Sequence, residues 1–183
     1  MIVREAAIQS ELLLLRHRRG DPQALPELVA LWERPLLYYL RRLLASEEDA
    51  WDALQETWIR VMGRLAGVRD GRALPAWLYI VARSAAFTLR RRRRPAEPLP
   101  EGDDEPELPA EDPEPSLAGF HAMDVHRALA RLGLAHREAL TLHFLEGFSV
   151  AEIAIITDAA EGTIKSRLHY AKRALRALLE GGD

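Results

Sequence analysis

The sequence predicts an all-α protein in which two small helical domains are joined by a disordered, acidic, proline-rich linker. Three observations support this prediction. Apolar residues recur at spacings of three and four in both halves of the chain, which is typical of amphipathic helices, and capping residues precede several of these runs. Residues 95–115 hold seven prolines and nine acids but no base. The expected domains are therefore 1–94 and 116–183, with the linker at 95–115.

Charge is distributed unevenly over the 183 residues. Residues 1–94 contain 17 Arg and 11 acids, whereas residues 116–183 contain eight bases and eight acids. The formal net charge of −3 therefore conceals a basic domain, an acidic linker and a balanced domain. A basic domain favours an anionic partner such as nucleic acid.

Composition excludes several classes of protein. With no cysteine, the chain has no disulfide, no cysteine-ligated zinc and no thiol chemistry. The four-leucine run at 12–15 is too short for a secretory signal, and no run of about 18 apolar residues occurs, so we expect a cytoplasmic protein. The six histidines form no HxxxH pair and no nucleotide-binding or hydrolase motif is present, so we predict no metal, no cofactor, no catalytic residue and no enzymatic activity.

Residues typical of helix starts divide the first domain into helices. Asp21 followed by Pro22 predicts a helix start, and Ser46 with Asp49 three residues later predicts another. The second of these helices is expected over 47–66, with one apolar stripe formed by Ala50, Leu54, Trp58, Val61 and Leu65. The opposite face carries four polar side chains and one outward isoleucine, namely Asp49, Asp52, Gln55, Glu56 and Ile59. Such a face is commonly just solvated, but an apolar anchor with a charged rim is also typical of a docking surface.

A basic helix is predicted to close the first domain. A glycine-rich, charged loop over 67–74 precedes a helix that begins near Leu74-Pro75 and runs through the arginines. Cations at a helix C-terminus are favourable through the helix dipole alone. Five consecutive arginines, Arg90 to Arg94, exceed that need and indicate a phosphate-binding patch.

The second domain carries a well-defined helix start. Ser149 and Glu152 form a capping box, with Phe148 and Ile153 placed for a hydrophobic staple, so a helix should begin at Val150. It should end near Asp158, a residue type that tolerates the left-handed region.

The last helix is expected over 162–179. Its buried stripe is predicted to be Ile164, Leu168, Ala171, Leu175 and Leu178. Its outer face is predicted to carry Ser166, His169, Tyr170 and Arg173, with Thr163 and Lys165 on the flanks. A short capped helix, a tight turn and a longer polar-faced helix describe a helix-turn-helix, although an amphipathic bundle helix has the same pattern.

Three blocks of sequence resemble the extracytoplasmic-function (group IV) sigma factors of bacterial RNA polymerase, within the sigma-70 family. DAWDALQETWIRV at 49–61 is similar to region 2.2, AWLYIVARSAAFTLRRRRR at 76–94 to regions 2.3 and 2.4, and SVAEIAIITDAAEGTIKSRLHYAKRAL at 149–175 to region 4.2. The resemblance implies that the first domain holds the melted −10 promoter element and the second holds the −35 duplex. The linker would cross channels of the polymerase.

The resemblance also implies three sets of site residues. The surface for the polymerase clamp helices would be Asp49, Asp52, Gln55, Glu56 and Ile59. The −10 strand would be held by Arg69, Asp70, Arg72, Trp77, Tyr79, Arg83, Ser84, Arg90, Arg91 and Arg93, with loop 67–73 capturing a flipped base. The −35 element would be contacted by Thr163, Lys165, Ser166, Arg167, His169, Tyr170 and Arg173.

Partners and alternatives follow from the same patterns. The resemblance implies core RNA polymerase, through its clamp helices and flap, promoter DNA, and an anti-sigma factor as a possible regulator. A stand-alone helix-turn-helix regulator and an arginine-rich RNA-binding protein are the two alternatives. The charge reversal after Arg94 further suggests that the linker folds back on the arginines and suppresses DNA binding by the free protein.

Overall fold

The computed structural model of the protein describes residues 2–93 and 122–181, and side chains from Ala6 to Arg93 and from Asp124 to Gly181. Arg94, the predicted linker and the predicted start of the second domain lie outside these described residues. Within them every regular element is helical, as the sequence predicted. The first part contains α1 (Ile2–Arg18), α2 (Ala24–Leu43), α3 (Glu47–Arg64) and α4 (Leu74–Arg93). The second contains α5 (Ala122–Arg131), α6 (Leu134–Leu140), α7 (Val150–Thr157) and α8 (Glu161–Glu180).

The start of α2 lies later than Asp21-Pro22 predicts. The Asp21 carboxylate accepts the N–H of Gln23 at 2.9 Å, and the Asp21 carbonyl accepts the N–H of Ala24 at 3.3 Å. The Asp-Pro pair therefore forms a turn, and the helix begins at Ala24. The Asp21 side chain therefore closes a turn ahead of the helix instead of capping the helix at Pro22.

The start of α3 is as predicted. The Ser46 hydroxyl accepts the N–H of Asp49 at 3.1 Å. The predicted apolar stripe is buried apart from Trp58, which is partly exposed. The helix ends at Arg64, and one 3₁₀ turn, Leu65–Gly67, leads into the loop before α4.

A layer of large side chains fills the first part. α2 contributes residues spaced by three and four, and Trp32, Leu36, Tyr39 and Leu40 are fully buried. α1 packs on α2 and α4, and α3 packs on both α2 and α4. α4 is thus the central helix, which leaves only part of its surface for a ligand.

The second part confirms the helix start predicted at Val150 and the helix end predicted near Asp158. Ser149 and Glu152 form the complete capping box at the start of α7, and Phe148 and Ile153 are both buried. Asp158 follows with φ 55°, in the left-handed region that a tight turn requires. A π-helical turn, Thr141–Glu146, connects α6 to this segment, and α5, α6 and α7 all pack on α8.

The two parts pack against each other. α4 contacts α7, and α2 contacts α6 and the π-helical turn. Buried apolar residues from both parts form one cluster, whereas the sequence suggested two separate small cores. We call this packing the closed arrangement. In residues 2–93 and 122–181 we find no helix with the length and hydropathy needed to span a bilayer.

Candidate nucleic-acid interface

The loop between Gly67 and Leu74 presents its charged side chains outward. Arg69, Asp70 and Arg72 are exposed, whereas Gly71 between them is buried. The Asp70 carboxylate accepts the N–H of Arg72 at 2.9 Å, which closes a local turn. The loop therefore combines a local turn in its backbone with exposed charged side chains.

The predicted aromatic residues of α4 do not share one environment. Trp77 is partly exposed beside the loop. Tyr79 was predicted to stack on the melted strand, but it is fully buried and donates a hydrogen bond to Oε2 of Glu146 at 2.5 Å. The prediction for Tyr79 is therefore wrong in the closed arrangement. The position of Tyr79 on α4 directs its ring toward the second part of the molecule.

Arg83 and Ser84 lie at the middle of α4. Nε of Arg83 is 2.9 Å from Oε1 of Glu138, and the guanidinium stacks on Phe87 with 4.4 Å between the charge centre and the ring centroid. Ser84 is exposed and accepts a hydrogen bond from Nη1 of Arg60 at 3.1 Å. Ser84 is thus open to a ligand, whereas Arg83 is already paired with the second part.

The arginine run is partly engaged within the molecule. Arg90 donates to the carbonyl of Leu43 at 3.0 Å, and Arg91 is exposed. Arg93 lies 2.5 Å from Oδ1 of Asp49 and 3.1 Å from Oδ2 of Asp52. The run therefore joins the face of α3 predicted to bind polymerase to the end of α4 predicted to bind DNA.

That face of α3 is exposed except at Asp49. The Asp49 side chain is only 14% exposed, because Arg93 covers it in a close ion pair whose angles do not make a hydrogen bond. Asp52, Gln55, Glu56 and Ile59 are exposed. The prediction that Asp49 faces solvent with them is wrong.

The outer face of α8 is narrower than predicted. Thr163 and Tyr170 are partly exposed, and Lys165 and Arg173 are exposed. Three other residues assigned to the −35 element are buried, with exposed fractions of 9% for Ser166, 6% for Arg167 and 7% for His169. Because α5, α6 and α7 all pack on α8, the helix is enclosed over a wider arc than one stripe, and the solvent-facing prediction for Ser166 and His169 is wrong.

A cleft of about 820 Å³ lies between α4 and α8, the two helices predicted to bind DNA. Arg83, Ser84, Thr88 and Arg91 of α4 line one side, and Thr163 and Arg167 of α8 line the other. Nε of Arg167 is buried with no hydrogen-bond partner in the described part of the chain. The closed arrangement therefore places two predicted DNA-binding surfaces face to face.

Two buried carboxylates hold the parts together, and sequence reasoning missed both. Oε1 of Glu138 accepts the hydroxyl of Tyr39 at 2.6 Å as well as Arg83, and Glu146 accepts Tyr79. Burial raises the pKa of Glu146 to about 7, although the hydrogen bond from Tyr79 opposes the shift. An acid on an otherwise apolar helical face was the signal that could have identified each residue, because a buried carboxylate needs partners.

The described side chains show no cluster of three or more histidines or acids that could hold a metal ion. The arrangement offers cations, hydroxyls and exposed aromatic edges, which bind nucleic acid through phosphates and bases.

Comparison with known proteins now identifies the family. Residues 28–95 match the family model for Sigma-70 region 2, and residues 122–175 match the model for Sigma-70, region 4. The first match covers most of α2 and all of α3 and α4. The second covers α5, α6, α7 and most of α8, and the two regions follow in the order that the resemblance predicted.

Individual relatives agree with both matches. The ECF RNA polymerase sigma factor SigL of Mycobacterium tuberculosis is 35% identical over 143 residues, which cover 78% of this chain and 81% of that protein. The RNA polymerase sigma-H factor of Pseudomonas aeruginosa is 30% identical over 94% of each chain. The solved structure of the sigma factor RpoE of Bartonella quintana, in complex with the anti-sigma factor NepR, is 26% identical, has a TM-score of 0.66, and covers 86% of this chain and 98% of its own. This chain therefore belongs to the ECF sigma factors of RNA polymerase, the DNA-binding subunits that direct transcription initiation.

Proposed function

We propose that α4 and the loop 68–73 hold the −10 strand, that α8 reads the −35 duplex, and that α3 binds the clamp helices of core RNA polymerase. The second part of the chain would bind the flap. The protein would carry out no bond-making chemistry of its own and would act in the cytoplasm, where its polymerase is. An anti-sigma factor would also bind this chain, by analogy with the complex of the Bartonella sigma factor RpoE with the anti-sigma factor NepR.

The geometry of α4 is the observation that carries this proposal. The exposed loop precedes its first residue, Leu74, and the arginines occupy its last turn. At about 1.5 Å per residue the helix is about 30 Å long, which matches about nine nucleotides at about 3.4 Å each. One helix can therefore support a strand from a captured base to a phosphate clamp.

The exposed apolar side chains of α3 support the polymerase contact. Ile59 is 61% exposed, and Met62, three residues later, is 54% exposed. Residues three apart share a helix face, so the two form a continuous apolar anchor beside Asp52 and Glu56. Met62 was absent from the predicted set and belongs to the same surface. Apolar anchors inside a charged rim are typical of protein interfaces.

Transcription with purified core polymerase tests the proposal. The wild-type chain should confer initiation at promoters that carry both elements. An Ile59→Asp/Met62→Asp double variant should lose polymerase binding, because it places two charges in an apolar contact, while it keeps the wild-type helical content. Ile8→Asp/Leu12→Asp is a matched control, since it also adds two charges and since Ile8 and Leu12 are 76% and 56% exposed on α1, away from the proposed polymerase contacts. Equal polymerase binding by wild type and the α3 double variant would contradict the assignment of this face.

A second experiment tests the autoinhibition suggested by the acidic linker. Deletion of residues 97–114 should raise the DNA affinity of the free chain, most strongly at low salt, because fewer carboxylates would compete with phosphates for the arginines. Unchanged affinity at low ionic strength would exclude this regulation.

A further inference from the structure

The loop 68–73 is tied to α1, a helix to which neither the sequence nor the family models assign a role. Nη2 of Arg18, at the last residue of α1, donates to the carbonyl oxygen of Val68 at the start of the loop. The two residues are 50 positions apart in sequence. A tertiary contact therefore fixes the point at which the loop leaves the preceding 3₁₀ turn.

A second contact fixes the middle of the loop. A Cβ atom added to Gly71 would lie 2.7 Å from Cγ and 2.8 Å from Cα of Glu11. Gly71 has no positive φ, so its requirement is for space and not for an unusual backbone conformation. Because one of the opposing atoms is backbone, a larger residue would have to push the loop away from α1.

The supporting residues share one face of a firmly packed helix. Glu11 and Arg18 are seven residues apart, which is two helical turns. Between them Leu13 and Leu14 are each only 1% exposed. The Ser10 hydroxyl accepts a hydrogen bond from Nε1 of Trp32 at 2.8 Å, which ties α1 to α2. α1 therefore offers the loop a fixed support and not a flexible arm.

The loop has few bonds of its own. Val68 donates its N–H to the carbonyl of Leu65 at 3.1 Å, Leu74 donates to Gly71 at 3.3 Å, and Asp70 closes its local turn. Nε of Arg72 lies 4.0 Å from Oε2 of Glu11, a weak exposed pair. The contacts with α1 are consequently a large share of what defines the loop's path.

We propose that Arg18 and Glu11 on α1 are positioning residues for base discrimination at the −10 element, acting on the backbone of 68–71 without contacting DNA. The inference rests on the proposed function of this loop. A pocket for a flipped base discriminates only when its walls are held within about 0.5 Å of the productive geometry. Arg18 sets the entry of the loop, and Glu11 sets the position of Gly71.

Substitution of Arg18 gives the sharpest test. Arg18→Met keeps an unbranched side chain but removes the donor to Val68, and Arg18→Lys restores one donor. The neighbouring Arg19, also exposed, gives the matched control Arg19→Met with the same loss of charge. Each variant is assembled with core polymerase, and initiation is measured on two promoters that differ at one −10 base.

Arg18→Met should lower the ratio of initiation rates on the two promoters by about three- to tenfold, the range expected for one lost hydrogen bond. Arg18→Lys should recover part of the ratio, and Arg19→Met should retain all of it. Discrimination at −35 and affinity for core polymerase should stay at wild-type values in all three. A purely structural role would lower the thermal midpoint and total activity but would leave the −10 ratio unchanged.

Gly71→Ala provides a second, independent displacement of the loop and should lower the same ratio. Arg69→Ala and Asp70→Ala, in the loop itself, distinguish a failure of the α1 positioning role from a failure of the loop's assignment to the −10 element. If the loop variants change the ratio but neither Arg18→Met nor Gly71→Ala does, the positioning role of α1 is wrong and the loop assignment stands. If the loop variants leave the ratio unchanged as well, the assignment of the loop to the −10 element is itself wrong.

Discussion

The two regions that we propose bind promoter DNA differ in how accessible they are. In the first part, Arg69, Asp70 and Arg72 extend into solvent from a loop whose backbone is held by α1. In the second part, Ser166 and Arg167 on the recognition helix α8 are buried. The first surface is ready for a ligand, whereas the second is covered by the packing around it.

Ser166 and Arg167 are buried by α5, α6 and α7 within the second part, and the closed arrangement adds to this by placing α4 across the cleft from Thr163 and Arg167. The closed arrangement depends on Glu138 and Glu146, which accept hydrogen bonds from Tyr39 and Tyr79 of the first part. We infer that duplex DNA reaches the cleft side of α8 only when these contacts loosen. The predictions below test whether the closed arrangement controls access to α8.

The largest effect is expected from Glu138→Ala. Its carboxylate is almost fully buried and pairs with both Tyr39 and Arg83, so its removal leaves a buried hydroxyl and a partly buried guanidinium unpaired. Breaking such a contact costs on the order of 3 kcal/mol. Small-angle scattering should show a larger radius of gyration, and binding of a −35 duplex by the free chain should increase.

Glu138→Gln is the control, because it keeps an acceptor of similar shape for Tyr39. It should lie between wild type and Glu138→Ala in both measurements. A Glu138→Ala chain as compact as wild type, with unchanged duplex affinity, would show that this contact does not restrict α8.

A slightly smaller effect is expected from pH, through Glu146. Its pKa is raised to about 7 in the closed arrangement by burial, compared with an ordinary value of 4.5. Below pH 4.5 the carboxyl is protonated in both states and the closed arrangement is not penalised. As pH rises from 4.5 to 7, the Glu146 carboxyl ionises in the separated domains before it ionises in the closed arrangement. The closed arrangement therefore loses up to about 3 kcal/mol of stability relative to the separated domains, and it is least stable above pH 7.

Scattering or a fluorescence distance between the two parts, followed from pH 5 to pH 8, measures this dependence. Glu146→Gln should stay equally closed across the range, because the replaced group does not titrate. A wild-type chain that becomes more compact as pH rises would have the opposite sign and would contradict the role of Glu146.

An intermediate effect is expected from a matched pair of helix caps, one in each part. The Ser149 hydroxyl accepts the N–H of Glu152 and also donates to the Glu152 carboxylate, whereas the Ser46 hydroxyl accepts one bond from Asp49. Ser149→Ala should cost about 1–2 kcal/mol and Ser46→Ala about 1 kcal/mol. In thermal unfolding monitored by circular dichroism, Ser149→Ala should shift one cooperative transition if the two parts form a single unit. Two separate transitions, of which only one shifts, would show that they unfold independently.

The smallest effect is expected from Arg93→Gln. Its ion pairs with Asp49 and Asp52 compete with any cation that core polymerase offers to α3. Arg93 and Asp52 are about half exposed, so the competition is worth less than about 1 kcal/mol. Polymerase affinity should rise up to about fivefold, and Arg92→Gln, one position earlier, should leave it at the wild-type value. A lower affinity in Arg93→Gln would show that Arg93 supports the α3 surface instead of competing with it.

Local patterns in the sequence predicted the helices well, because caps and apolar periodicity act over a few residues. Ser46, the Ser149–Glu152 box and Asp158 all have the predicted roles. The start of α2 was misplaced because Asp21 hydrogen-bonds within a turn, a choice that the Asp-Pro pair leaves open. The family and its function were also predicted, since the motifs of both regions lie in the sequence in order.

The positions of individual site residues were harder to predict, because they depend on contacts between distant segments. The apolar periodicity of α8 predicted that Ser166 and His169 face solvent, because a single apolar stripe accounts for one packing partner. In the structure α8 packs on α5, α6 and α7. Asp49 was predicted to be exposed because nothing in its own helix indicates that Arg93, 44 residues later, covers it. The same holds for Arg18 and Val68, whose contact no local pattern encodes.

We propose that promoter reading is divided between the two regions, and base preference measured in the holoenzyme is the decisive experiment. Initiation would be quantified on a library randomised at both elements, with wild type, Asp70→Ala and Lys165→Ala. We expect Asp70→Ala to alter base preference at −10 alone and Lys165→Ala to alter base preference at −35 alone. An Asp70→Ala chain that changed only the −35 preference, or a Lys165→Ala chain that changed only the −10 preference, would contradict this proposal.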